Sequence, residues 1–209
     1  MARIIAISGP DGTGKSTTIN AISALLQERD GVAPRVTWRR SGFLVSRIFN
    51  ACGRVSGCSY YEITPYGSMG YHNYQGSIGW LYIFLVWIDC VFYYGPIWVA
   101  RDFFSKGSAE IIDRYYLDIV ADVIVSTGKV RAAVYVFDRL LKAKLKGINY
   151  TVLTCDVNLV MDRRPDLAHD RDYSNKVRAY KLLRRFYKLP TIDTGVYTVG
   201  RSSREVLSR

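Results

Sequence analysis

Transition-metal chemistry has little to work with in this chain. It holds two histidines and four cysteines. Cys52, Cys58, Cys90 and Cys155 form no CxxC pair and have no histidine at ligand spacing, which excludes the usual zinc patterns. Three of the four read instead as small core residues, and Cys52 and Cys58, which flank a Gly-rich turn, leave a disulfide or two reduced thiols open. Acidic side chains are short in number, 18 against 29 basic ones, for a formal charge of +11. That balance favours anionic partners: nucleotides, nucleic acid or an acidic membrane surface. The basic residues are scattered, as Arg39 with Arg40, Arg163 with Arg164, Lys142 to Lys146 and Lys176 to Arg185. This argues against nucleic acid as the main partner and for separate phosphate contacts plus solvated helix faces. No apolar signal segment or Arg/Ser-rich presequence precedes the first strand, so a cytoplasmic location is expected. Repeats and low-complexity tracts are also absent. Charge is missing from 78 to 100 apart from Asp89, and this run is as long as a membrane span. Asp89, the Gly95-Pro96 pair and the lack of a flanking basic cluster predict a buried helix, with no membrane span.

What is present has the order of an α/β domain. With 209 residues, 49% of them hydrophobic, one domain over 1–209 is expected. Residues 3–8 form an apolar β-branched run that predicts a strand buried on both faces, and 16–29 carry Ile19, Ile22, Leu25 and Leu26 at helical spacing. Further strands are expected at 36–39, 110–113, 149–155 and 191–193. Helices are expected at 117–126, 130–146, 159–163 and 174–187. Alternation at this spacing predicts a parallel sheet with helices on both faces. Between Cys52 and Gly79 the chain is rich in Gly and Tyr, and reads as a long functional or mobile loop.

Gly9-Pro10-Asp11-Gly12-Thr13-Gly14-Lys15-Ser16 fits G-x-x-x-x-G-K-[ST] between a strand and a helix, the context that a phosphate-binding P-loop requires. Gly9, Asp11, Gly12, Thr13, Gly14, Lys15, Ser16 and Thr17 are therefore expected around the phosphates of ATP. Lys15 would neutralise oxygens of the transferred group, and the Ser16 hydroxyl would ligate Mg²⁺. Asp113 follows the third strand, at the edge of an open sheet where ligands bind. It is expected to serve the metal, and Arg114 to grip an anionic acceptor.

GPDGTGKST, IIDRYYLDIVAD, DVNLVMDRR and TIDTG together resemble the thymidylate kinase family of nucleoside monophosphate kinases, in order and rough spacing over nearly the whole chain. The resemblance implies a three-layer P-loop fold with a five-stranded parallel sheet in the order 2-3-1-4-5, MgATP on the P-loop, and an acceptor-binding insertion at about 41–105. It also implies a lid at about 162–173 with arginines over the phosphates. It places Asp11 at the acceptor sugar. Because position 12 is Gly and not Arg, it moves the catalytic arginine to Arg163, Arg164 or Arg171. Departures accompany the matches. Arg39-Arg40-Ser41-Gly42 stands where the family has Arg-Glu-Pro-Gly, keeping Arg39 for the acceptor phosphate. Asp89-Cys90 stands for an Asp-Arg pair, so the base-reading arginine is missing; the tyrosine-rich string points to a divergent branch. The acceptor set is then Asp11, Arg39, Asp89, Arg114 and Tyr115.

The expectation is an ATP- and Mg²⁺-dependent kinase of a small acceptor, a nucleoside monophosphate with dTMP first, in a chain that forms a homodimer. The alternatives are a kinase of a sugar or other metabolite, and a nucleotide-dependent switch or membrane-peripheral regulator.

Overall fold

The computed structural model describes residues 4–38, 45–93 and 109–208. Five parallel strands form the main sheet: β1 (Ile4–Ser8), β2 (Arg35–Trp38), β5 (Glu110–Asp113), β6 (Asn149–Thr154) and β7 (Thr191–Asp193), in the order β2-β5-β1-β6-β7. Counting only these strands, the order is the expected 2-3-1-4-5. β1 lies in the middle because its residues are nearly all apolar and side chains alternate between faces. Ile5 and Ile7 pack with Ile19, Ile22 and Leu26 of α1 (Lys15–Asp30) and with Val206 of the C-terminal helix at Val199–Leu207. Ala6 joins the opposite core, with Val152 beside it.

That second core is built from α3 (Gly76–Ile88), α4 (Tyr116–Thr127), α5 (Val130–Leu145) and, beyond a lid segment, α7 (Tyr173–Phe186). The expected lid, about 162–173, takes in the end of α6 (Val157–Arg163), a 3-10 turn over Pro165–His169 and the first residue of α7. Val199–Leu207 is α8. The chain turns into α1 at Gly14, which is left-handed (φ 79°), and α1 ends at left-handed Gly31, conformations that glycine adopts without a Cβ penalty.

Two expectations are corrected. The Gly/Tyr-rich stretch is not a long loop. It holds the end of α2 (Val45–Val55) and an antiparallel hairpin, β3 (Ser59–Thr64) with β4 (Gly67–His72). Gly70 pairs with Tyr61, and a side chain at Gly70 would meet the Tyr61 ring at 3.2 Å. The glycine that hides the strand pattern thus leaves room for a cross-strand aromatic. Second, the apolar helix is not enclosed all round. α3 buries Tyr82, Ile83 and Val86 but leaves Trp80 and Phe84 about half exposed; it continues as a π-helical turn over Asp89–Tyr93. No helix among the described residues is long and apolar enough to cross a membrane.

Candidate active site

The P-loop is held open by its own backbone. Gly9 has φ 150°, and a side chain there would run into the Leu153 carbonyl of β6, so only glycine lets the loop lie this close to the sheet. Thr13 turns its hydroxyl inward, Oγ1 donating to the Pro10 carbonyl at 2.8 Å. Thr194, just past β7, donates to the Thr13 carbonyl at 2.9 Å. Lys15 is buried, and its Nζ donates to the Gly9 and Pro10 carbonyls at 2.7 and 2.8 Å. Burial lowers the Lys15 pKa, against the pull of Asp11 3.6 Å away.

Asp113 and Arg114 arrive from β5, in register with Ile7 of β1. Arg114 is left-handed at φ 64°, its N–H donates to the Ile7 carbonyl at 3.0 Å, and its guanidinium pairs with Asp11. Burial alone would raise the Asp11 carboxyl, but Arg114 and Lys15 hold it below the ordinary carboxylate range. Asp113 is different: its Oδ1 is buried with no hydrogen-bond partner, and burial raises its pKa. Asp113 lines the same cavity as Ser16, and among the described residues nothing donates to this buried oxygen. A metal-bound water would fill that need, so the residues present fit Mg²⁺, which prefers one or two carboxylates plus waters and phosphate oxygens.

A cavity of about 700 Å³ opens over this loop. Asp11, Gly12, Gly14, Lys15, Ser16, Thr17, Asp113 and Arg114 line it, and Arg163 and Arg164 reach it from the lid. A second cavity of about 790 Å³ lies between α2, the hairpin, α3, α4 and α7, and Trp38 lines both. It presents Arg47, Arg54 and Lys176 as cations, Asp122 and Asp172 as carboxylates, and Tyr60, Tyr71 and Tyr82 as aromatic walls. Lys176 pairs with Asp170 at 2.7 Å; burial would lower its pKa, and Asp170 outweighs that and raises it.

No family model matches the chain, and no curated protein is similar to it in sequence. Among solved structures, it is similar to a thymidylate kinase from Candida albicans, reported as revealing the origin of broad substrate specificity and a novel structural element. The TM-score is 0.59 at 12% identity, over 99% of this chain and 90% of that one. This chain has the thymidylate kinase fold.

Within the thymidylate kinase fold, not every residue singled out in the sequence reaches the cavities. Arg39 lies outside the described residues, as does Arg40. Arg171 is turned toward the hairpin: it stacks over Tyr60 and Tyr71 and pairs with Glu62 at 3.7 Å, away from the P-loop cavity. Tyr115 is buried, its hydroxyl donating to the Lys144 carbonyl at 3.3 Å. Asp89 lines neither cavity. It is buried and caps α2, accepting from the Val45 and Ser46 N–H groups at 3.0 and 2.9 Å and from the Ser46 hydroxyl at 2.5 Å. Cys90 is turned into the core, so the helix presents Tyr82, not position 90, to the second cavity.

Sequence reasoning missed Arg47, Asp122 and Lys176. Lys176 lies in a basic run read only in general terms, as phosphate contacts plus solvated helix faces. Its spacing from Tyr173 and Tyr180, three and four residues, puts all three on one side of α7, and that spacing was the available signal.

Proposed function

We propose that this protein transfers the γ-phosphoryl group of ATP to a small acceptor in the cytoplasm, a nucleoside monophosphate with dTMP first. The observation that carries the reading is the pair of cavities that share Trp38 as a lining residue, one lined by a complete P-loop and Asp113, the other by cations and tyrosines. In this reading the Lys15 ammonium leaves the Gly9 and Pro10 carbonyls for phosphate oxygens. The amides of the loop and the N-terminus of α1 hold the remaining negative charge. When bound, Mg²⁺ would neutralise charge on the β- and γ-phosphates, held by the Ser16 hydroxyl and, through water, by Asp113. Arg163 and Arg164 add positive charge as the transferring group loosens. Arg114, fixed by Asp11 in the P-loop cavity, orients the acceptor, with Lys176, Arg47 and Arg39 as further phosphate contacts.

A second reading, a hydroxyl acceptor such as a sugar, is favoured by Asp122 and Asp172 in the acceptor cavity. A phosphate acceptor needs no base, whereas an alcohol benefits from a carboxylate that takes its proton. The outer face of α3, with Trp80, Leu81 and Phe84 exposed, supports a homodimer, which sedimentation checks.

ADP release is to be measured with ATP and GTP across dTMP, dUMP, dCMP, ribonucleotides, sugars and small alcohols. Stimulation by nucleoside monophosphates supports the first reading, and stimulation by sugars alone supports the second. Slow hydrolysis that no acceptor stimulates would leave a nucleotide switch and overturn both.

A further inference from the structure

Asp118 is the most thoroughly buried carboxylate near the P-loop, 2% exposed, and the mechanism above does not use it. Stripping water from a carboxylate is costly unless hydrogen bonds replace it. Three donors do so. The Tyr115 N–H donates to Oδ2 at 2.7 Å, the Ser8 hydroxyl donates to the same oxygen, and the Tyr180 hydroxyl donates to Oδ1 at 2.5 Å. Capping α4 needs the first alone.

The other two donors are informative because of where they come from. Ser8 is the last residue of β1, directly before Gly9, and is itself fully buried and bonded to the Tyr150 hydroxyl. Tyr180 belongs to α7, the helix into which the lid runs. Tyr173, two turns earlier on α7, donates its hydroxyl to the Asp11 carbonyl at 3.3 Å. One helix is thus bonded to the phosphate loop at Asp11, and through Asp118 to the residue that precedes it.

We infer that Asp118 is a positioning residue which, through Tyr180 and Ser8, couples the lid helix to the phosphate loop, so that nucleotide on the loop and closure of the lid stabilise each other. Asp118 touches no substrate; it acts through the segments it joins. A shift of α7 as Arg163 and Arg164 close on the nucleotide is passed to the loop at two points, Asp11 and Ser8, and the reciprocal effect follows by linkage.

The variant that isolates the link is Tyr180→Phe, which keeps the ring and the helix cap and removes one hydroxyl. In the wild-type chain, ATP is expected to shield the lid bonds after Arg163 and Arg171 from trypsin. In Tyr180→Phe, ATP still binds, but its Kd, followed by tryptophan fluorescence, rises about tenfold as protection and kcat fall by the same factor, as linkage requires, equivalent to about 1.4 kcal/mol. Ser8→Ala gives the same pattern and serves if Tyr180→Phe folds poorly. Tyr150→Phe, bonded to Ser8 but not to the lid helix, leaves protection unchanged. A purely structural role would lower Tm and leave protection and kcat at 25 °C as they were; that result overturns the coupling. The inference rests on the proposed kinase reading, but protection requires only ATP binding. Protection lost in Tyr180→Phe without any acceptor turnover in the wild type would sink the kinase reading and spare the coupling. A wild-type chain that ATP does not protect overturns the coupling outright.

Discussion

Replacing Gly12 by Ala tests why this P-loop lacks an arginine where the thymidylate kinase family carries one. Gly12 is left-handed, φ 80°, a conformation that costs a residue with a Cβ about 1–2 kcal/mol. The added methyl would overlap the Val160 Cγ1 and meet the Leu167 Cδ1 at 3.0 Å. Both belong to a small core with Tyr173, Val160 being fully buried, and overpacking such a site costs about 1–3 kcal/mol. Together these predict a loss centred on about 3 kcal/mol. At about 2–4 °C per kcal/mol for a chain of this size, Tm falls by about 6–12 °C. The two contributions separate in a double-mutant cycle. Val160→Ala empties the space the methyl needs, so the pair should be more stable than the sum of the single changes by about 1–2 kcal/mol, while the backbone cost remains. Urea unfolding of the four proteins gives the numbers. A Gly12→Ala loss below about 0.5 kcal/mol, or a coupling of that size, would refute the claim that position 12 is small because the lid packs on it.

Arg163→Ala or Arg164→Ala should lower kcat by about tenfold or more with a smaller effect on ATP affinity, whereas Arg171→Ala should leave kcat nearly unchanged and raise KM for the acceptor; steady-state kinetics decides. Asp89→Ala should cost about 2–4 kcal/mol in urea unfolding, because it strands two N–H groups and a hydroxyl at the start of α2, and should not alter acceptor KM in the surviving fold. Because burial lowers the Lys15 pKa, its charge in the free enzyme is lost at lower pH than an ordinary lysine's. The alkaline limb of kcat/KM for ATP should therefore fall below pH 10.5, the reference value for lysine, and the limb of kcat should lie higher because bound phosphates stabilise the ammonium.

The parts of this molecule that were legible in the sequence are those fixed by local pattern. The P-loop carries its chemistry and its strand-turn-helix context in eight consecutive residues, and the parallel strands are short apolar runs between breakers. The hairpin at Ser59–Thr64 and Gly67–His72 was not legible because its alternation is broken by Gly67 and Gly70, and the role of Gly70 appears only when Tyr61 is placed opposite. Asp89 was misread because its partners, Val45 and Ser46, lie more than forty residues away. The Asp118 cluster joins residues 8, 118, 150 and 180, a proximity that no local pattern encodes.

The central claim is phosphoryl transfer, and the most direct measurement follows the γ-phosphate itself. With γ-labelled ATP, Mg²⁺ and the acceptor that best stimulates ADP release, the label should appear in the acceptor in step with ADP. Lys15→Ala should reduce that transfer by more than tenfold, over about 1.4 kcal/mol of transition-state stabilisation, while the protein stays folded by circular dichroism. Label found only in inorganic phosphate, or transfer that survives in Lys15→Ala at more than about a tenth of the wild-type rate, would contradict the account.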